Sequence, residues 1–145
     1  MKKQRQISYG NIIEELLRRN DMLENKIIRV SDEDEYGFFF DASSQDQALK
    51  IGVRIRGGHV QLDYLHPDLV EKSASSLDII NRINSENRVG TYTIDNDSYL
   101  WARWDGFLCG KTDEVEVQFV KMMMVFQAFL LSTLPEIVCV FSYET

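Results

Sequence analysis

Apolar positions recur along the chain with two periods, and the switches between them divide it into elements. Over residues 9–20, Ile12, Ile13, Leu16 and Leu17 fall on one helical face, and Glu14, Glu15, Arg18 and Arg19 on the other. Asn11, with Glu14 three residues on, reads as a capping box. The pairs Glu14 with Arg18 and Glu15 with Arg19 stand at the favourable i,i+4 spacing. Period two then takes over. Residues 26–30 make a short strand or extended lead-in, an acidic turn follows at 31–35, and the aromatic run at 36–41 reads as a strand. Over 47–56, Leu49, Ile51, Val53 and Ile55 alternate with Ala48, Lys50, Gly52, Arg54 and Arg56, which predicts a strand with one wet face. Gly57 and Gly58 make a hairpin turn, and residues 59–65 return with Val60, Leu62 and Tyr64 inward.

His66, Pro67 and Asp68 are expected to break the sheet. A second helix follows over about 73–87, then a hairpin with arms at 89–94 and 98–108 around Asp95, Asn96 and Asp97. Thr112 or Asp113 caps a third helix, and Asp113, Glu114 and Glu116 suit its positive N-terminal end. Pro135 is expected to stop it near residue 133, leaving 137–143 as a possible further strand. The resulting order is α-β-β-β-α-β-β-α. It predicts an α+β fold: a curved antiparallel sheet with helices packed on it, in a single domain over 1–145.

The third helix carries more apolar surface than one stripe needs. Val115, Phe119, Met122, Met123, Phe126, Phe129 and Leu130 make one stripe, and Val117, Val120, Met124, Ala128 and Leu131 much of a second. Surface helices normally show a single stripe. Either a homodimer covers the second face, or the terminal segment or a neighbouring helix does. The run Met122, Met123 and Met124 reads first as core filler, with an adaptable binding surface as the sharper alternative. In the strand at 98–108, Tyr99, Trp101 and Arg103 share one face, and Leu100, Ala102 and Trp104 the other. One tryptophan must pack on the helices, which leaves the other for a partner or a dimer mate.

Composition narrows the chemistry. The 145 residues are 44% hydrophobic, enough for a core without a metal or disulfide staple. Asp and Glu number 23 against 16 Lys and Arg, for a net charge of −7. That speaks against nucleic acid, whose phosphates need a basic stripe, despite the sheet aromatics. Cys109 and Cys139 stand outside any CxxC spacing and read as half-buried thiols in a reducing cytosol. No signal-peptide pattern and no bilayer-spanning run is expected, so the protein is placed in the cytoplasm with no membrane partner. His59 and His66 fall on opposite faces of their strand. His59 with Asp63 could lie close, but two ligands do not make a metal site. The Asp95 to Asp97 tip lacks the spacing of a calcium loop. No nucleophile elbow, Walker loop, dinucleotide fingerprint or zinc-protease motif is present. No catalytic residue and no cofactor is assigned.

The order of elements, together with Leu77-Asp78-Ile79-Ile80-Asn81-Arg82-Ile83-Asn84 leading into Val89-Gly90-Thr91-Tyr92, resembles the YbjN family, whose fold is related to type III secretion chaperones. The hairpin at Asp95-Asn96-Asp97, the acidic turn before an aromatic strand and the last helix ending at Leu134-Pro135 fit the same pattern. The likeness covers about 8–135, and 136–145 is an extension without counterpart. It implies a non-enzymatic, dimeric domain that holds extended segments of partner proteins.

The expectation is therefore a protein-interaction module, chaperone-like or regulatory, acting as a homodimer on an extended segment of a protein partner. Trp101, Trp104, Met122, Met123, Phe126 and Phe129 are its candidate dimer or partner surface. The alternatives are a small-molecule sensor or enzyme with a pocket between sheet and helices, and an assembly subunit whose terminal strand adds to a neighbour's sheet.

Overall fold

A computed structural model describes residues 9–20, 28–29, 35–41, 49–70 and 72–143. The elements are α1 (Tyr9–Arg19), β1 (Ile28–Arg29), β2 (Glu35–Asp41), β3 (Lys50–Arg56), β4 (His59–Leu69), α2 (Ala74–Glu86), β5 (Thr91–Ile94), β6 (Tyr99–Phe107) and α3 (Thr112–Tyr143). The fold is α+β, as the alternation of periods predicts. The strands form one sheet in the order β1-β2-β3-β4-β6-β5, every neighbour antiparallel.

The register explains why the core is one-sided. Ile51 pairs with Tyr64, Val53 with Leu62 and Ile55 with Val60. Tyr64 pairs in turn with Ala102, and Tyr92 with Ala102 from the far side. All of these are buried. Because side chains alternate across a strand, one sheet face is continuously apolar, and all three helices lie on it. From α3, Val115, Phe119, Phe126, Leu130, Leu134 and Ile137 are fully buried there; Ile13 and Leu17 come from α1, and Ile80 and Ile83 from α2.

Local signals hold where short-range bonds decide. Ser73 caps α2: its hydroxyl accepts from the Ser76 backbone N–H, and the Ser76 hydroxyl accepts from Ser73 N–H. Gly57 takes a positive φ of 57°. Gly58 is needed for another reason: a Cβ there would sit 2.8 Å from the Leu108 carbonyl oxygen. Glu14 and Arg18 pair at 2.9 Å, whereas Arg19 reaches Glu116 of α3 at 2.7 Å. Asn11 lies inside α1 and does not cap it.

Two expectations about prolines are overturned. Pro67 does not end its strand. β4 continues to Leu69 through a register shift between Leu65 and Leu69, and a bulge is where a strand tolerates a residue without an N–H. Pro135 does not end the last helix, and residues 137–143 are helix, not strand. An interior proline costs a helix about 3 kcal/mol. Leu134 and Ile137, both fully buried, continue the core stripe past it. Burying each contributes about 1.5–3 kcal/mol, so packing outweighs the break. Arg82 of α2 fastens the continuation through Glu136 at 2.9 Å.

The same helix corrects a third expectation. Thr112–Val138 is long and apolar enough to cross a membrane by length and composition. In this fold its apolar stripe forms the core beside the sheet, an arrangement compatible with a soluble protein.

Candidate functional site on the open face of the sheet

The opposite sheet face carries none of the three helices. Register places its residues in rows. One row runs Leu65, Trp101, Thr93 from β4 to β5; the next runs Phe39, Gly52, Asp63, Arg103, Thr91 from β2 to β5. Gly52 has no side chain in the middle of that row, and Gly37 lies on the same face one pair along β2. The absence of two side chains leaves a groove of about 530 Å³. Gly37 and Gly52 are its floor; Phe39, Leu65, Pro67 and Trp101 are among its walls, with Lys50, Arg54, Asp63 and His66 around them. Phe39 and Leu65 are 43% and 42% exposed, large apolar residues turned outward.

The walls are held by polar bonds. Asp95 at the β5–β6 turn accepts the Trp101 indole N–H at 2.7 Å with one carboxylate oxygen. Its other oxygen accepts the backbone N–H groups of Asp97 and Tyr99, both at 2.9 Å. The Tyr99 backbone bond first, and the Trp101 bond next, hold the Asp95 carboxyl below the ordinary aspartate range. Across the sheet, Asp63 accepts from Arg103 at 2.7 Å and from Gln61 at 2.9 Å. His66 Nδ1 lies 3.1 Å from the Tyr64 hydroxyl. Burial lowers the His66 pKa more than Asp68, 3.9 Å away, raises it. The tautomer of His66 decides which of the two groups donates in that bond; the Tyr64 pKa is itself raised, by burial first and by Asp68 second.

The tryptophans divide as their alternation predicts. Trp101 faces outward into the groove, and Trp104 packs partly buried against the core. The methionine and phenylalanine part of the candidate surface is corrected. Phe126 is fully buried, and Met123 and Phe129 nearly so; they are core residues of this chain and present no surface to a partner. Met122 is partly buried over Gly106, where a Cβ would meet its Cε at 2.5 Å. The outward side of α3 is instead Val117, Met124 and Val125, with Met124 63% exposed, whereas Val120 and Leu131 of the expected second stripe are partly buried against the core.

Other expected pairings also shift. His59 pairs with Asp105 at 3.0 Å, since Asp63 is engaged by Arg103. Cys109 is exposed; the Gln118 carboxamide accepts its backbone N–H at 3.0 Å and donates to its carbonyl at 2.9 Å. The Cys139 side chain lies outside the described residues. Among the described residues no group of three or more His, Cys, Asp or Glu is placed to hold a metal ion.

Sequence reading passed over Gly52 and Asp95. The signals were present: a glycine inside an alternating strand marks a bare patch, and an Asp two residues before a turn's end binds backbone N–H groups ahead of it. No protein-family model matches the chain, and no curated protein matches it.

Proposed function

We propose that this domain is a non-enzymatic protein-interaction module, chaperone-like or regulatory, that binds an extended apolar segment of a partner protein across the open face of its sheet. The observation that carries the reading is the groove over Gly52, walled by Phe39, Leu65 and Trp101. Its floor is the middle of a sheet whose strands are paired on both sides, so a bound segment is held by side chains entering the groove rather than by backbone bonds. The surrounding charges are partly spent on one another, as in the Asp63–Arg103 pair. The likeness of 77–84 and of the element order to YbjN proteins supports the same class of activity. Within the reading the protein works as a cytoplasmic homodimer, joined through Val117, Met124 and Val125 on the outward side of α3, which leaves the groove to the partner.

A photo-crosslinking residue at Leu65 tests it in the protein's own cells: crosslinks to one recurrent segment of another polypeptide are expected, and crosslinks no different from those at exposed Glu86 contradict it. A small apolar ligand is the rival, because a volume of about 530 Å³ also suits small molecules. A bound mass of a few hundred daltons in native mass spectrometry, displaced by Gly52→Leu, would favour it.

A further inference from the structure

The residue opposite Gly52 on β2 is Phe39. Its ring reaches over the bare backbone: a Cβ at Gly52 would lie 3.4 Å from Phe39 Cε1 and 3.7 Å from Cδ1, ordinary van der Waals contact. An aromatic ring laid over a facing glycine is a favoured cross-strand pairing, and the missing Cβ lets a flat group approach the peptide planes closely. The Gly52 floor therefore already carries a ring of its own chain. Phe39 is 43% exposed, so it still offers ring surface to an occupant of the groove. On the other side of Gly52 the register partner is Asp63, whose carboxylate is engaged by Arg103 at 2.7 Å. Along β3, Lys50 and Arg54 stand on either side of the glycine and line the groove. A strand rises about 3.4 Å per residue, which sets each about 7 Å from Gly52 along the strand. Trp101 adds a ring to the far wall, its N–H spent on Asp95.

We infer that the side chain entering this groove is aromatic: the bound segment seats a phenylalanine, tyrosine or tryptophan over Gly52, against the ring of Phe39 and between the cationic Lys50 and Arg54. This rests on the reading of the groove as a partner site and narrows it to a class of anchor. Two features favour a ring over an aliphatic chain of the same size. An aromatic pair gains attraction beyond the area it buries. A cation beside a ring face is drawn to the electrons there. An aliphatic side chain in the same place gains from burial of its area alone. Phe39 is then the residue that sets specificity, because it supplies the ring face that the anchor meets.

The test uses two probes of similar size, N-acetyl-phenylalaninamide and its ring-saturated analogue N-acetyl-cyclohexylalaninamide. Each is titrated into the full chain while the Gly37 and Gly52 amides are followed by heteronuclear NMR. The saturated ring is at least as apolar, so burial of area alone predicts equal or tighter binding of the analogue. The aromatic anchor predicts the opposite: the phenylalanine probe shifts both glycine amides and binds roughly three-fold or more tightly than the analogue. Phe39→Leu, which keeps an apolar wall without a ring face, should erase that preference. Equal binding of the two probes, or tighter binding of the analogue, overturns the inference and leaves the groove reading standing. A preference undiminished in Phe39→Leu also overturns it. No shift at either glycine with either probe overturns the inference and the groove reading together. The comparison of probes on the parent protein is decisive even if the leucine variant does not fold.

Discussion

Asp95 holds Trp101: a carboxylate at the tip of one hairpin accepts the indole N–H of the residue that walls the groove, at 2.7 Å. The relation joins a turn that reads as mere solvated punctuation to the one tryptophan that faces out of the sheet.

Its first consequence is a pH dependence. The backbone and indole bonds hold the Asp95 pKa below its ordinary value. A group whose pKa is lower folded than unfolded contributes stability above the unfolded pKa and loses it as pH falls through the folded one. The Trp101 environment should therefore persist through the range where ordinary aspartates protonate and change only on further acidification. In a Trp104→Phe background, tryptophan fluorescence reports Trp101 alone, because the chain has two tryptophans. Asp95→Asn should abolish the acid step, and an unchanged titration in that variant would remove Asp95 from the account.

Filling the groove should leave the fold intact. A Cβ on Gly52 would make ordinary contacts, 3.4 Å to Phe39 Cε1 and 3.9 Å to the Asp63 carbonyl oxygen. Gly in a strand interior is destabilising by roughly 0.5–1 kcal/mol relative to alanine. Gly52→Val is expected to melt at or slightly above the parent's temperature in calorimetry. A loss of several degrees would mean that the open face contributes to folding in a way its exposure does not suggest.

The two stripes of α3 should separate cleanly on mutation. Phe126→Ala empties a fully buried site and should cost about 3–5 kcal/mol by chemical denaturation. Met124→Lys touches an exposed position, where surface changes fall within about 0.5 kcal/mol. If the outward stripe joins two copies, Met124→Lys also yields a monomer in sedimentation velocity. The reverse pattern, with Met124→Lys unfolding the chain, would reassign the faces.

This separation marks how much was legible in the sequence. Periodicity identifies both stripes, because an apolar residue every three or four positions must lie on one side of a helix. It does not say which stripe meets the sheet. Phe126 and Phe129 were eligible for either side until Gly90 and Tyr92 were seen to fit Phe129: the Tyr92 and Phe129 rings stack at 5.2 Å, and a Cβ on Gly90 would meet Phe129 at 2.5 Å. The start of α2 was legible near residue 73, where the Ser73 cap closes within four residues. The chain was read wrongly at Pro67 and Pro135, where contacts with distant elements outweigh the local break. The groove was invisible for the same reason. Phe39, Gly52, Leu65 and Trp101 meet only through strand register.

A buried hydroxyl chain offers a stability test that does not depend on function. Thr133 donates to the Phe129 carbonyl at 2.6 Å, so its single hydrogen is spent and the Tyr92 hydroxyl is the donor in their 2.7 Å bond. Thr133→Val leaves that hydroxyl buried without an acceptor and should cost about 1–3 kcal/mol. Tyr92→Phe removes the group outright and should cost less, and the double variant should lie close to Tyr92→Phe alone. Additive losses in the double-mutant cycle would show that the two hydroxyls do not act as a pair.

The central claim, that the open sheet face holds an apolar segment over Gly52, is tested most directly by selecting random twelve-residue peptides displayed on phage against the parent, and re-measuring the selected peptides against Gly52→Leu. The account predicts peptides anchored by large apolar side chains, binding that perturbs Trp101 fluorescence in the Trp104→Phe protein, and at least a ten-fold loss of affinity in the filled variant. Selected peptides that bind Gly52→Leu as tightly as the parent, or a selection that enriches none, would contradict it.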